Sequence, residues 1–70
     1  MTPYVLDWEI VGEDKLIELS KGTGLEGEVI YGVTQMVWED MKWQTTRKGL
    51  MFGSKEQQKA RAYYNNLKVN

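Results

Sequence analysis

Neither cysteine nor histidine occurs in the 70 residues of this chain. The first absence removes disulfides, thiolate nucleophiles and cysteine-bound zinc or iron-sulfur sites together, and with them a secreted disulfide scaffold. The second removes the side chain most often used for proton transfer near neutral pH, which is also the commonest ligand of transition metals. Long apolar runs are missing too. No stretch approaches the roughly 18 residues that cross a bilayer, and the amino terminus lacks the basic-then-apolar order of a signal peptide. These absences lead to the expectation of a non-enzymatic, cytoplasmic (intracellular) protein with no membrane association, no cofactor and no metal site.

What is present must make a dense core. A chain this short forms a single domain, 1–70, and ordering it costs about 1.5 kcal/mol per residue against the apolar surface it buries. The eight aromatic residues (Tyr4, Trp8, Tyr31, Trp38, Trp43, Phe52, Tyr63, Tyr64) are the expected core material, since each buries about 150 to 250 Å². The net charge of -1 hides a division along the chain. Residues 1–40 carry nine acids and two lysines, a net of -7, whereas residues 41–70 carry seven bases and Glu56, a net of +6.

No internal repeat, low-complexity tract or Pro/Ser-rich linker divides the chain. From Tyr4 to Val11 the apolar residues Tyr4, Leu6, Trp8 and Ile10 alternate with Asp7 and Glu9, the pattern of a half-buried strand. Gly12 to Lys15 reads as a turn. Leu16 to Ser20 reads either as a returning strand, with Ile17 and Leu19 facing Ile10 and Trp8, or as a helix over 13–21 with acids at its start and Gly22 at its end. A loop over 22–27 follows, then a long strand over 28–39 rich in β-branched and aromatic residues. Glu39 to Lys42 reverses the chain, and a strand from Trp43 to Phe52 returns antiparallel with Trp38 opposite Trp43. Ser54 and Gln57 fit a capping box, and Ala60, Tyr63, Tyr64 and Leu67 form one apolar helical stripe. The predicted fold is α+β: a small antiparallel sheet of three to four strands, including a 28–39/43–52 hairpin, with a carboxyl-terminal helix (55–67) on one face.

Gly22, Gly24 and Gly27 match G-x-G-x-x-G, and with Val29 the longer form found in protein-kinase phosphate loops. The other kinase motifs are absent, and a dinucleotide loop would open a helix where this one opens a strand. The glycines therefore read as a structural loop. The acid pairs Glu13/Asp14 and Glu39/Asp40 sit at turns and read as solvated, without the spacing of a calcium loop.

Two surfaces are candidates for binding. An acidic one comprises Asp7, Glu9, Glu13, Asp14 and Glu18. An aromatic and basic one comprises Met36, Trp38, Trp43, Arg47 and Met51, on the hairpin face that the helix stripe does not cover. If the amino-terminal strand packs over that face the tryptophans are core; otherwise they form a contact patch of the kind that dominates interface energies. The leading expectation is a small protein-binding module. One version is an acidic inhibitor of a nucleic-acid-handling enzyme, of the kind encoded by phages or mobile elements. The runner-up is a nucleic-acid-binding domain using Lys42, Arg47, Lys48, Lys55, Lys59 and Arg61, against which the pI near 5.3 argues. A homodimer or other homo-oligomeric structural subunit is the third reading.

Overall fold

Strand pairing organises the first half of the chain. In a computed structural model describing residues 4–46 and 48–69, β1 (Tyr4–Val11) and β2 (Lys15–Thr23) form an antiparallel hairpin. The turn between them opens on Gly12, whose φ of 70° a residue without Cβ adopts at no steric cost. The choice between strand and helix for residues 13–21 resolves as strand. A short helix there would be marginal, whereas β2 gains a ladder of hydrogen bonds on both sides, to β1 and to β3 (Val29–Glu39). The strand therefore runs on through Gly22 and Thr23, the first two residues of the expected loop.

The register differs from the expected one by a residue. Ile17 stands opposite Glu9 and Leu19 opposite Asp7, while Ile10 faces Leu16 and Trp8 faces Glu18. Because side chains alternate, that single step places Ile17 and Leu19 on the other face of the sheet from Ile10 and Trp8. A bulge between Val5 and Asp7 takes up one extra residue, and Val5, opposite Ser20, joins the face of Trp8 and Ile10.

β3 reverses through Asp40 and Met41, whose φ values of 54° and 65° are both left-handed, as a two-residue type I′ hairpin turn requires. Trp38 then pairs with Trp43 as the sequence predicts. The returning strand is interrupted, however. β4 (Lys42–Thr45) and β5 (Leu50–Phe52) lie end to end along the same edge of β3. An unbroken ladder would set Leu50 opposite Tyr31; Phe52 is there instead, so two extra residues are accommodated between the strands. The Thr46 amide still reaches the Gln35 carbonyl at 2.9 Å, and the Lys48 amide donates to Thr46 Oγ1 at 3.2 Å. Arg47 lies outside the described residues.

A 3₁₀ turn (Ser54–Glu56) leads into α1 (Gln57–Lys68). Glu56, rather than Gln57, reaches back at the helix start: its Oε1 accepts the Gly53 amide at 3.1 Å. The predicted stripe is the buried one. Ala60, Tyr64 and Leu67, with Tyr63 partly covered, pack on Ile17, Leu19, Tyr31 and Val33, and Tyr63 donates its hydroxyl proton to the Lys48 carbonyl at 2.7 Å. The sheet order β1-β2-β3-β4, with β5 beside β3, thus carries the helix on one face. The expectation that the aromatics form the core holds for Tyr31 and Tyr64, and in part for Phe52 and Tyr63. All three tryptophans stand outside it, because the register assigns them to the other face.

Candidate functional site

Among the described residues the face of the sheet away from α1 has no covering element, because β1 joins the sheet at its edge instead of packing across it. Its rows follow from the register. Ile10, Leu16, Met36 and Thr45 form one, Trp8, Glu18 and Thr34 a second, and Trp38 with Trp43 a third. The sequence predicts that β1 buries its apolar set; here Trp8 and Ile10 are 59% and 50% exposed, and Tyr4 and Leu6 are exposed too. Trp38 keeps 45% of its surface in solvent and Met51 keeps 73%. Exposed large apolar residues are ordinary when scattered singly, but Val5, Trp8, Ile10, Trp38 and Met51 share one face.

Between these side chains runs a shallow groove of about 610 Å³ lined by Val5, Leu6, Asp7, Trp8, Ile10, Leu16, Glu18 and Trp43. It reaches from the first strand to the fourth. Trp38 and Trp43 meet edge to face, with ring centroids 5.3 Å apart and planes at 70°, the arrangement that the ring quadrupoles favour. Sequence reasoning singles out Met36, Trp38, Trp43 and Met51, and the register places all four on this face. It misses Val5, Trp8, Ile10 and Leu16, because alternation of apolar with charged residues ordinarily means that the apolar side meets the core.

The acidic candidates do not converge. Asp7 and Glu9 point to the helix side, where Asp7 Oδ2 accepts Arg61 Nη1 at 2.9 Å and Glu9 Oε1 lies 3.6 Å from Lys68 Nζ. The Arg61 guanidinium holds the Asp7 carboxyl below its usual range, helped by the Trp8 amide. Between the two ion pairs lies the Tyr64 ring, with Lys68 Nζ 4.8 Å and the Arg61 guanidinium 5.8 Å from its centroid. The Tyr64 hydroxyl is buried close to the Asp7 carboxylate without a fully formed hydrogen bond. Burial first, then the negative fields of Asp7 and Glu9, raise its pKa. Part of the division of charge along the sequence is therefore spent inside the fold, clamping the helix to the edge strand. Glu13 and Asp14 are exposed at the β1–β2 turn, and Glu18 projects into the open groove with no ion-pair partner among the described residues.

The basic candidates are similarly dispersed. Arg61 is committed to Asp7, Lys59 lies 3.4 Å from Glu56, and Lys42 stands opposite Glu39 in the hairpin register, on the far edge of the sheet. The glycine loop closes on itself: Glu28 Oε2 accepts the Glu26 amide at 3.0 Å, and the Gly24 amide donates to the Glu28 carbonyl at 2.7 Å. The Glu28 carboxylate thus already takes up one of the loop's backbone amides. No three acidic side chains among the described residues gather into a metal-binding group, and no helix among them is long and apolar enough to cross a membrane. In comparisons with known proteins, no family model matches the chain, and no curated protein or solved structure is significantly similar to it.

Proposed function

We propose that the protein is a small, non-catalytic, intracellular protein-binding module that docks through the open face of its sheet. The observation that carries this reading is the inversion of β1, which presents Trp8 and Ile10 to solvent and turns Asp7 and Glu9 toward the helix. Full burial of a side chain such as Ile yields about 1.5 to 3 kcal/mol, and the free chain leaves much of that unrealised at Trp8 and Ile10. A second macromolecule covering Trp8, Ile10, Trp38, Trp43 and Met51 supplies the missing burial, and tryptophans are the residues most enriched where binding energy concentrates. The acidic-inhibitor version loses its contiguous surface, and a basic nucleic-acid surface loses Arg61 and Lys59 to internal partners.

The test is differential capture from a lysate of the source cell. The wild type and a helix-surface variant, Lys55→Ser/Lys59→Ser, should retain the same proteins, and an open-face variant, Trp8→Ser/Met51→Ser, should lose them. Retention by the open-face variant, or loss on changing the helix lysines, would put the contact elsewhere. Capture of nucleic acid in a strongly salt-dependent manner would favour the runner-up.

A further inference from the structure

The open groove carries a sign as well as a shape. Among the described strand residues of that face Glu18 is the sole charged one. It stands directly across from Trp8, and Trp43 lines the same groove from β4. Asp7 also borders the groove, but its carboxylate is turned to the helix side, where Arg61 holds it. A carboxylate beside an indole ring, in a groove that a second indole also lines, is the chemistry that receives a cation: the rings attract it through their negative faces, and the acid neutralises it.

Resting on the reading of this face as a protein-docking surface, we infer that its occupant is a cationic, apolar segment of another protein. An arginine or lysine side chain enters between Trp8 and Trp43 and pairs with Glu18, while neighbouring apolar side chains cover Ile10, Leu16 and Val5. A second copy of this chain fits less well. A two-fold face-to-face contact would bring another carboxylate to the groove and leave both acids without a complement, and burying an unpaired charge is costly. An acidic or neutral partner would leave Glu18 unpaired in the same way.

Three eight-residue peptides test this, alternating leucine with arginine, glutamine or glutamate, each titrated into the intact protein while the tryptophan indole NMR signals are followed. The arginine peptide should bind at least about tenfold more tightly than the glutamine peptide, and shift the Trp8 and Trp43 signals. Glu18→Gln should abolish that preference, as expected for loss of a charge-assisted contact. Glu13→Gln, which makes the same change of net charge at the β1–β2 turn, should leave it intact. Circular dichroism should show both variants folded. Equal affinity for the arginine and glutamine peptides would overturn the cationic inference and leave the docking face standing. Loss of the preference in Glu13→Gln as complete as in Glu18→Gln would overturn it too, since attraction would then be to net charge. Concentration-dependent dimerisation that Trp8→Ser abolishes, with no peptide bound, would instead assign the face to a second copy.

Discussion

Tyr64 has two roles that pull against each other. Its ring fills the centre of the core and is bracketed by Lys68 and Arg61, yet its hydroxyl is buried without a hydrogen bond beside Asp7. A buried unsatisfied hydroxyl costs about 1 to 3 kcal/mol, whereas an apolar group of the same shape is close to neutral. Tyr64→Phe should therefore leave stability at neutral pH unchanged or raise it by about 1 kcal/mol, measured as a higher urea midpoint at an unchanged slope. The hydroxyl's raised pKa adds a dependence on alkali. The folded state holds the proton more tightly than the unfolded chain, so this contribution is complete below the ordinary value of 10.0. It is lost as pH climbs from there through the folded value, because the unfolded chain ionises first. In urea titrations between neutral pH and about pH 11, the wild type should lose more stability than Tyr64→Phe. Parallel curves would mean that neither burial nor the neighbouring carboxylates raise the hydroxyl's pKa.

At the scale of elements, the informative contrast is between β1 and β2, two apolar strands with opposite fates. Ile17 is buried under the helix and Ile10 is half in solvent on the far face. Truncating a buried Ile to Ala costs about 2 to 5 kcal/mol, most of it lost burial and the cavity left behind. Ile17→Ala should cost that much, whereas Ile10→Ala in the free protein should cost under about 1 kcal/mol. Similar losses at both positions would mean that something already covers the open face. The same contrast marks how far the sequence was legible. The long strand, the Trp38–Trp43 pairing and the Tyr64 stripe followed from local rules, because alternation, a two-residue turn and helical spacing are encoded within a few residues. The break at 46–49 did not, since it depends on how β5 meets β3 and on where Tyr63 pins Lys48. The face chosen by β1 did not either. Alternation states that a strand has two sides, and the side that meets the helix carries ion pairs to Arg61 and Lys68, more than fifty residues away in sequence. The signal that could have found it is the charge complementarity itself: Asp7 and Glu9 alternate as regularly as Trp8 and Ile10, and the final helix carries their partners.

For the whole molecule, the fold separates its aromatic residues by kind. Tyr31, Tyr63, Tyr64 and Phe52 make or border the core under the helix, Tyr4 is exposed on the edge strand, and Trp8, Trp38 and Trp43 all stand on the opposite face. Intrinsic tryptophan emission therefore reports on the open face, while the core reports through tyrosine and circular dichroism. In the free protein the emission should lie close to that of solvent-exposed indole and be readily quenched by acrylamide, with little further shift when urea unfolds the chain. A ligand that covers the face should move the emission to shorter wavelength and protect it from quenching. It should also raise the melting temperature, since binding to the folded state alone stabilises by about 2.7 kcal/mol at a hundredfold excess over Kd. The arginine–leucine peptide should produce all three changes together. A free protein whose emission is already blue and protected would show the face to be covered before any partner arrives. Dilution then identifies the cover: a red shift on lowering the protein concentration would mark a second copy, because only association between chains depends on concentration in that way.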